Sequence, residues 1–446
     1  MTRPLIYYVL SIYLSSFTLI MYEENTLLSI IIVLIFFSIL FFTMDIKYFI
    51  VIVCFFLLGC FSFYTYFNTG LMSGEDKVRV IQFKKGNVIG NYKGRRILLL
   101  GEINDIKEGN RIIVTGKFND KKDYYKGIVG EFNVYNHKKL SSDFIEKLYI
   151  FRENLYKKYT KALDKNKAAI IMACCYGDTK YISFNVKDKI NKLGISHIIS
   201  VSGLHIALVY KMLEKILGIK GGIVLSFIYM IFTGGKAATI RAYIMILIMK
   251  LSKCFYRTYD SLSAISLAAI IILFMKPYYV VDIGFNLSFL ATLGIILYNK
   301  KIRRLLYKLP DKINESLSIT LSAQIFSMPY AMCTLKNISV FFILGNLFLV
   351  PLYSIVILLG NLAIAVLKFK VLFRIICSFI YSIMTSIEGG TYLLLKITPN
   401  MVQYNYFYGV AMLSIFMSYI LLRHGYKKVI YFPCFVMCFV LMHSIT

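Results

Sequence analysis

Apolar residues along this chain fall in long blocks separated by polar turns. Three stretches, 4–20, 27–43 and 48–66, each come close to the ~20 residues that cross a hydrocarbon core as helix, and they predict three membrane helices. Polar sequence follows to residue 167. Within it, short runs of β type at Val78–Phe83, Asn87–Tyr92, Arg95–Gly101, Arg111–Phe118 and Lys126–Asn136 are separated by Gly, Asn, Asp and Lys clusters. Five strands in so short a span suit a small β-barrel of OB type, and other small barrels fit almost as well.

From 141 to 165 the period becomes helical, with Phe144, Leu148, Phe151 and Leu155 at spacings of three and four beside lysines. This pattern predicts an amphipathic helix on the membrane surface. Apolar segments then recur at 194–214, 221–234, 237–250, 261–275, 284–298, 315–333, 338–365, 371–395, 406–422 and 429–444. Two of these are short for a span and predict re-entrant or broken helices. The fold class expected is a polytopic α-helical membrane protein of about a dozen transmembrane segments with an inserted extracytoplasmic β-barrel. Its parts are N-terminal membrane helices at 1–66, the β-domain at 67–140, the interfacial helix at 141–167 and the main membrane domain at 168–446.

Composition agrees with this pattern. Of 446 residues, 58% are hydrophobic and 17% charged, against about 45–50% and about 25% in soluble domains, which argues against a cytosolic enzyme. The net charge of +28 suits anionic lipid heads, a nucleic acid, or many cytoplasmic loops obeying the positive-inside bias. An AT-rich coding sequence would also raise lysine. Nine cysteines without a C-x-x-C pair read as small buried hydrophobes, not as a disulfide frame or zinc site. The first apolar segment shows no small-residue cleavage site, so it is expected to be retained as a helix. With the N-terminus cytoplasmic, alternation puts Glu23, Glu24 and 67–167 outside. The basic clusters at Lys211/Lys215, Lys250/Lys253/Arg257, Lys300–Arg304, Lys368/Lys370/Arg374 and Arg423/Lys427/Lys428 then all fall inside.

Chemistry concentrates in Gly194-Ile-Ser-His-Ile-Ile-Ser-Val-Ser-Gly-Leu-His-Ile-Ala-Leu208. Polar groups in such a segment are expected to face protein or a water-filled interior. Read as one helix, it puts His197 and His205 on the same side, about 12 Å apart along the axis, too far for one metal. Gly203 permits a close approach or a break. Further polar groups are Asp178, Lys236, Arg241, Asp282, Asn286, Ser288, Gln324 and Asn346. A charge at mid-bilayer costs roughly 2.5–3.5 kcal/mol, so Arg241 calls for a carboxylate partner, Asp178 or Asp282, or an anionic substrate. Interhelical hydrogen bonding explains each of these residues as an alternative, and packing is an even stronger alternative for Ser200 and Ser202. Ser202 with His205 is a weak nucleophile signal, because there is no G-x-S-x-G elbow. No Walker motif is present, and the five histidines, His137, His197, His205, His424 and His443, do not supply the usual ligand set of a two-metal nuclease.

The run GISHIISVSGLHIAL, followed in order by TGGKAATIRAYIMI, PYYVVDIGFNLSFLA, AQIFSMPY and NLFLVPLYS, resembles the central domain of the ComEC family of bacterial competence proteins. The similarity covers about 170–365. It implies an inner-membrane channel that passes one strand of transforming DNA into the cytoplasm while the other is degraded outside. It also implies a separate nuclease, a DNA receptor and a cytoplasmic motor as partners. Many members resemble a three-part protein ending in a metallo-β-lactamase-like domain, and no H-x-H-x-D-H cluster occurs here. Asn286 stands where the family pattern suggests Gln.

A DNA-conducting reading also asks for an external basic domain with stackable aromatics. Lys84, Lys85, Tyr92, Arg95, Arg96, Arg111 and Phe118 are the residues expected to hold a strand there, though lysine-rich solvated β-domains are common. The functional expectation is thus a multi-pass plasma-membrane channel for single-stranded DNA, in contact with membrane lipids, with no catalytic residue, cofactor or metal. The rivals are a membrane-embedded hydrolase using Asp178, His197, His205 and Asp282, and a secondary transporter of a smaller anion with Arg241 as counter-ion.

Overall fold

The computed structural model describes residues 3–68, 75–84, 87–101, 103, 105–335, 337–339, 341–397, 402–403 and 406–423. Helices α1 (Pro4–Glu24), α2 (Thr26–Thr43) and α3 (Ile46–Phe67) precede strands β1 (Glu75–Lys84), β2 (Asn87–Tyr92), β3 (Arg95–Leu100), β4 (Arg111–Asn119) and β5 (Ile128–Lys139). Next come α4 (Phe144–Ala162), α5 (Lys165–Tyr176), α6 (Phe184–Lys192), α7 (Gly203–Phe232), α8 (Ala237–Cys254) and α9 (Ser261–Met275). The chain continues with α10 (Ile283–Leu305), α11 (Asp311–Leu335), α12 (Phe342–Ala365), α13 (Lys370–Ile397) and α14 (Tyr406–Arg423). A short antiparallel pair joins β6 (Asn337–Ile338) to β7 (Val402–Gln403).

Among the described residues, seven helices are long and apolar enough to cross a membrane: α1, α2, α3, α7, α10, α12 and α13. The protein is therefore mostly helical and multi-pass, and it carries a small closed barrel of five strands. The expected segment at 429–444 lies outside the described residues. The chain divides into two compact units, Met1–Lys158 with Ile244–Phe285, and Tyr159–Tyr243 with Asn286–Thr446.

In the first unit, small residues let α1 and α3 approach closely. A Cβ on Gly59 would sit 2.0 Å from Ser15 Oγ, and Ser11 Oγ donates to the Ile52 carbonyl at 2.8 Å. Asn25 both ends α1 and caps α2, its side chain accepting from Leu28 N–H at 3.0 Å. The barrel runs β1-β2-β3-β5-β4 and closes through β1 against β4, with β3 parallel to β5 and the other pairs antiparallel. Alternation turns Val78, Val80, Val88, Tyr92, Ile97, Leu99, Ile112, Val114, Phe132 and Val134 inward. Tyr124 and Tyr125, in the loop before β5, donate to Glu23 and Glu24 at 3.3 and 2.5 Å. The α1–α2 turn and the barrel thus lie on one side of the helices.

Helix α4 forms where its period predicts, and its first turns dock on the barrel. The Glu146 carboxylate, almost fully buried, accepts from Asn110 Nδ2 at 2.8 Å and lies 3.3 Å from Lys139 Nζ. Phe144 and Phe151 remain exposed, whereas Leu155 is buried. Just before α4, Asp143 accepts from the guanidinium of Arg79 on β1 and from Glu146 N–H. The Arg79 hydrogen bond holds the Asp143 carboxyl well below the ordinary carboxylate range. A depressed folded-state value means that this stabilisation is complete above the unfolded value, about 3.9, and is lost as pH falls below it. Acidification from pH 5 towards pH 2 is therefore expected to loosen the joint between β1 and α4, read as faster amide exchange in β1. The Asp143→Asn protein, loosened already at pH 5, would lack that step.

The second unit is built around α5, whose residues Ala168–Tyr176 are all buried. Tyr159 Oη and Tyr176 Oη lie 2.9 Å apart, and both donate to the Gly360 carbonyl of α12, at 3.1 and 2.7 Å. Neither α5 nor α6 is among the segments expected from hydropathy. The segments expected at 194–214 and 221–234 fall on either side of Gly218, whose non-helical backbone, with φ +72°, breaks α7 between them.

Candidate functional site

The polar run at 194–205 does not form one helix, which corrects the expectation that His197 and His205 share a helical face. Gly194 has φ +69° and ends α6 by donating to the Asn191 carbonyl, and a Cβ there would meet Phe342 Cβ at 2.6 Å. A single 3-10 turn, Ser196–Ile198, carries His197. The chain is then extended at Ser202, the N-cap of α7. Glycine and serine offer the backbone these non-helical choices, and hydropathy alone does not register them.

Ser202 and His205 form a capping box in which histidine takes the position usual for glutamate. Ser202 N–H donates to His205 Nδ1 at 3.0 Å, and Ser202 Oγ lies 2.9 Å from the same nitrogen. A backbone N–H can only donate, so Nδ1 must present its lone pair, and the neutral ring carries its proton on Nε2. With His205 only 1% exposed, the pair starts the helix and does not resemble an exposed nucleophile with its base.

Arg241 on α8 is 8% exposed. Its Nη1 donates to the Ser288 carbonyl and the Thr292 hydroxyl of α10, and the guanidinium lies 5.7 Å from the Phe289 ring centroid. A Cβ on Gly203, the first residue of α7, would stand 2.8 Å from Arg241 Nη2. The bare glycine thus lets the guanidinium reach the positive end of α7. Among the described residues of this unit no carboxylate forms an ion pair with Arg241, and its Nε is out of solvent with no hydrogen-bond partner. Lys236, beyond the Gly234–Gly235 turn, donates to Ser200 Oγ at 3.4 Å. The segment 200–205 thereby gathers Ser200 with Lys236, Ser202 with His205, and Gly203 with Arg241.

The carboxylates expected beside Arg241 are engaged elsewhere. Asp178 lies 3.4 Å from Lys180 Nζ. Asp282, in the first unit, accepts from Phe285 N–H at 2.7 Å at the start of α10. Asn286 Nδ2 donates to Tyr330 Oη of α11 at 3.0 Å, and Gln324 Oε1 accepts from Ser327 Oγ at 3.2 Å. Asn346 Oδ1 is out of solvent and without a hydrogen-bond partner among the described residues. No three His, Cys, Asp or Glu side chains among the described residues converge as for a metal ion. The buried tyrosines 159 and 176 escape sequence reasoning because the partner of both is a backbone carbonyl at Gly360.

On the barrel, most residues expected to hold a strand have structural duties. Tyr92 is 4% exposed and belongs to the core, and Phe118 packs against that core from its edge, so Tyr92 has no free face for a base. Arg95 donates to the Thr65 carbonyl, Arg96 donates to the Lys126 carbonyl and stacks over Tyr278, and Arg111 lies 3.9 Å from Asp143. Lys84 ends β1, and Lys85 lies outside the described residues. The sequence shows their charge but not the neighbours that engage it.

Gly203→Ala is expected to push Arg241 Nη2 away and loosen its hold on Ser288 and Thr292. The cost is about 1–3 kcal/mol, as for overpacking elsewhere. Thermal unfolding of purified protein checks this, and a Gly203→Ala/Arg241→Ala double variant would recover most of the loss.

A family model described as Competence protein matches residues 174–440. Over 230 residues the chain is 26% identical to "ComE operon protein 3" of Bacillus subtilis (strain 168), a match covering 50% of this chain and 29% of that protein. Over 156 residues it is 31% identical to an uncharacterized protein of Aquifex aeolicus (strain VF5), covering 33% of this chain and 38% of that protein. The chain thus spans well under two thirds of the length of either relative. No solved structure matches. The matched region holds the whole 194–205 segment, Arg241 and the helices that pack on them, and the chain belongs to the Competence protein family.

Proposed function

We propose that the chain acts in DNA uptake during natural competence, as the inner-membrane path by which single-stranded DNA reaches the cytoplasm. The observation that carries this reading is Arg241. A buried guanidinium that touches the start of α7, with only neutral acceptors and an unpartnered Nε among the described residues of its unit, is suited to a phosphate. Lys236 adds a second cation on the same segment. In this reading Arg241 and Lys236 meet the phosphate backbone. Asp178, His197, Ser200, Ser202, Gly203, His205, Asn286, Ser288, Gln324 and Asn346, all of the second unit, supply the polar lining. The chain itself carries out no catalysis, and a separate nuclease, receptor and motor complete the process.

The reading also takes the helices beyond the seven as further spans, to about a dozen, with the N-terminus cytoplasmic and 67–140 external. The barrel's strand order, with β1 shared by β2 and β4 and β3 parallel to β5, supports the OB type. The exposed Phe144 and Phe151 of α4 support an interfacial helix across 141–167, ahead of a channel domain at 168–446.

The test is import of end-labelled DNA into a competent host lacking its own channel gene and supplied with this chain. Nuclease-protected single strands are the expected product. Absence of protected strands, from protein shown to reach the membrane and with a separate nuclease domain supplied, would sink the reading.

A further inference from the structure

We infer that the barrel holds single-stranded nucleic acid on the outer face of β1, β4 and β5, around Tyr135. This rests on the reading of DNA as the transported molecule, and it places the binding face away from the residues that composition suggests. Tyr135 is 76% exposed, in contrast to the buried Tyr92. Its exposure has a local cause: the β4–β5 register passes from Thr115↔Asn136 to Gly116↔Val134, so Tyr135 is the extra residue of a bulge. Bulges re-aim side chains and recur beside functional sites. This one depends on Gly116, where a Cβ would fall 1.8 Å from the Asn133 carbonyl oxygen.

Cations lie on both sides of the bulge. Lys77 and Lys138 both pair in register with Ile113, so they share one row across three strands, about 10 Å apart. Ile113 faces outward because its neighbours Ile112 and Val114 fill the core, and Lys117 points the same way further along β4. Lys77, Lys117 and Lys138 are exposed and make no ion pair among the described residues, unlike Lys139, which is held by Glu146. The carboxylates on this face are Glu75, opposite Thr115, and Glu131, opposite Asn119 and paired with Lys121 at 3.4 Å. One aromatic ring open to stacking, with three unpaired cations within reach of a backbone against one unpaired carboxylate, Glu75, and one, Glu131, already held by Lys121, is an arrangement that tracks a flexible polyanion carrying bases. A membrane surface would also take cations beside a tyrosine ring, so flotation on anionic vesicles is one arm of the test.

The experiment uses full-length protein in nanodiscs of zwitterionic lipid, with a fluorescent thirty-nucleotide oligothymidine read by anisotropy. Tyr135→Ala is expected to weaken binding by about tenfold, and Tyr135→Phe to retain most of it, which separates loss of stacking from loss of fold. The triple change of Lys77, Lys117 and Lys138 to Gln is expected to reduce the slope of log Kd against log salt by roughly 2, at ~0.7 for each phosphate no longer neutralised. Wild-type binding by both Tyr135→Ala and the triple variant would overturn the inference. So would unchanged oligonucleotide binding with lost flotation on phosphatidylglycerol vesicles, which would assign the face to lipid. Import assays on the same variants keep the two readings apart. If the wild-type chain imports DNA and both variants bind it normally, the channel reading stands and only the assignment of this face falls.

Discussion

Arg241→Ala is expected to reduce recovery of protected single strands by roughly tenfold to a hundredfold, the worth of one to two charge-assisted hydrogen bonds, while protein continues to reach the membrane. The guanidinium has five donors, and Nη1 alone is committed, to Ser288 and Thr292. Nε and Nη2, beside Gly203, are the donors left for a phosphate. Arg241→Lys keeps the charge but loses the fork that reaches α10 and the anion together, so an intermediate loss is expected. Because Arg241 also ties α8 to α10, the control is the Thr292→Val protein, which removes one acceptor and leaves the cation. Import by Thr292→Val near the wild-type level, with loss in Arg241→Ala, supports an anion-binding role. Equal loss in both would assign Arg241 to packing alone.

Gly127→Val is expected to be the most damaging single change to the first unit. Gly127 has φ +67°, and a Cβ there would lie 2.4–2.6 Å from three ring carbons of the buried Tyr278. A β-branched residue in left-handed backbone and an overpacked ring together cost roughly 2–5 kcal/mol. The same point receives the hydroxyl of Tyr66 on its carbonyl, at 3.1 Å, so the end of α3, the barrel and the turn at Pro277–Val281 would be disturbed together. Limited proteolysis of membranes checks it. Cleavage between α3 and β5 should rise sharply in Gly127→Val, and stay near wild type in Lys126→Ala one residue away. Equal sensitivity of the two variants would show that this junction does not depend on the glycine.

Several features were legible from residue order because each is set by neighbours in the chain. Blocks of apolar residues near twenty long define α1, α2 and α3, since an unpaired backbone in lipid leaves little but a helix. Alternation over short runs gives the five strands, whose inward residues follow from a period of two. Ordered blocks around Ser202, Arg241, Asp282, Gln324 and Asn346 were enough to expect the Competence family, which the match over 174–440 establishes. Even the break before α7 had its signals in Gly194 and the Ser202-x-x-His205 spacing, but the continuous hydropathy of the segment hid them.

Where each polar side chain finds its partner depends on residues far away in sequence, and it emerges from packing. Arg241 meets Ser288 and Thr292, not a carboxylate; Tyr159 and Tyr176 meet the Gly360 carbonyl; Arg79 meets Asp143. The barrel makes the same point. Tyr92 and Tyr135 are equivalent in composition, yet closure of the strands turns one into the core while a single extra residue in β5 turns the other to solvent. The kind of protein, its helical and barrel parts and its family follow from residue order, since they rest on local periodicity and ordered motifs. Which cations are engaged and which remain open to an anion was decided by packing, since the energy of a charge depends on what the fold places within a few ångströms of it.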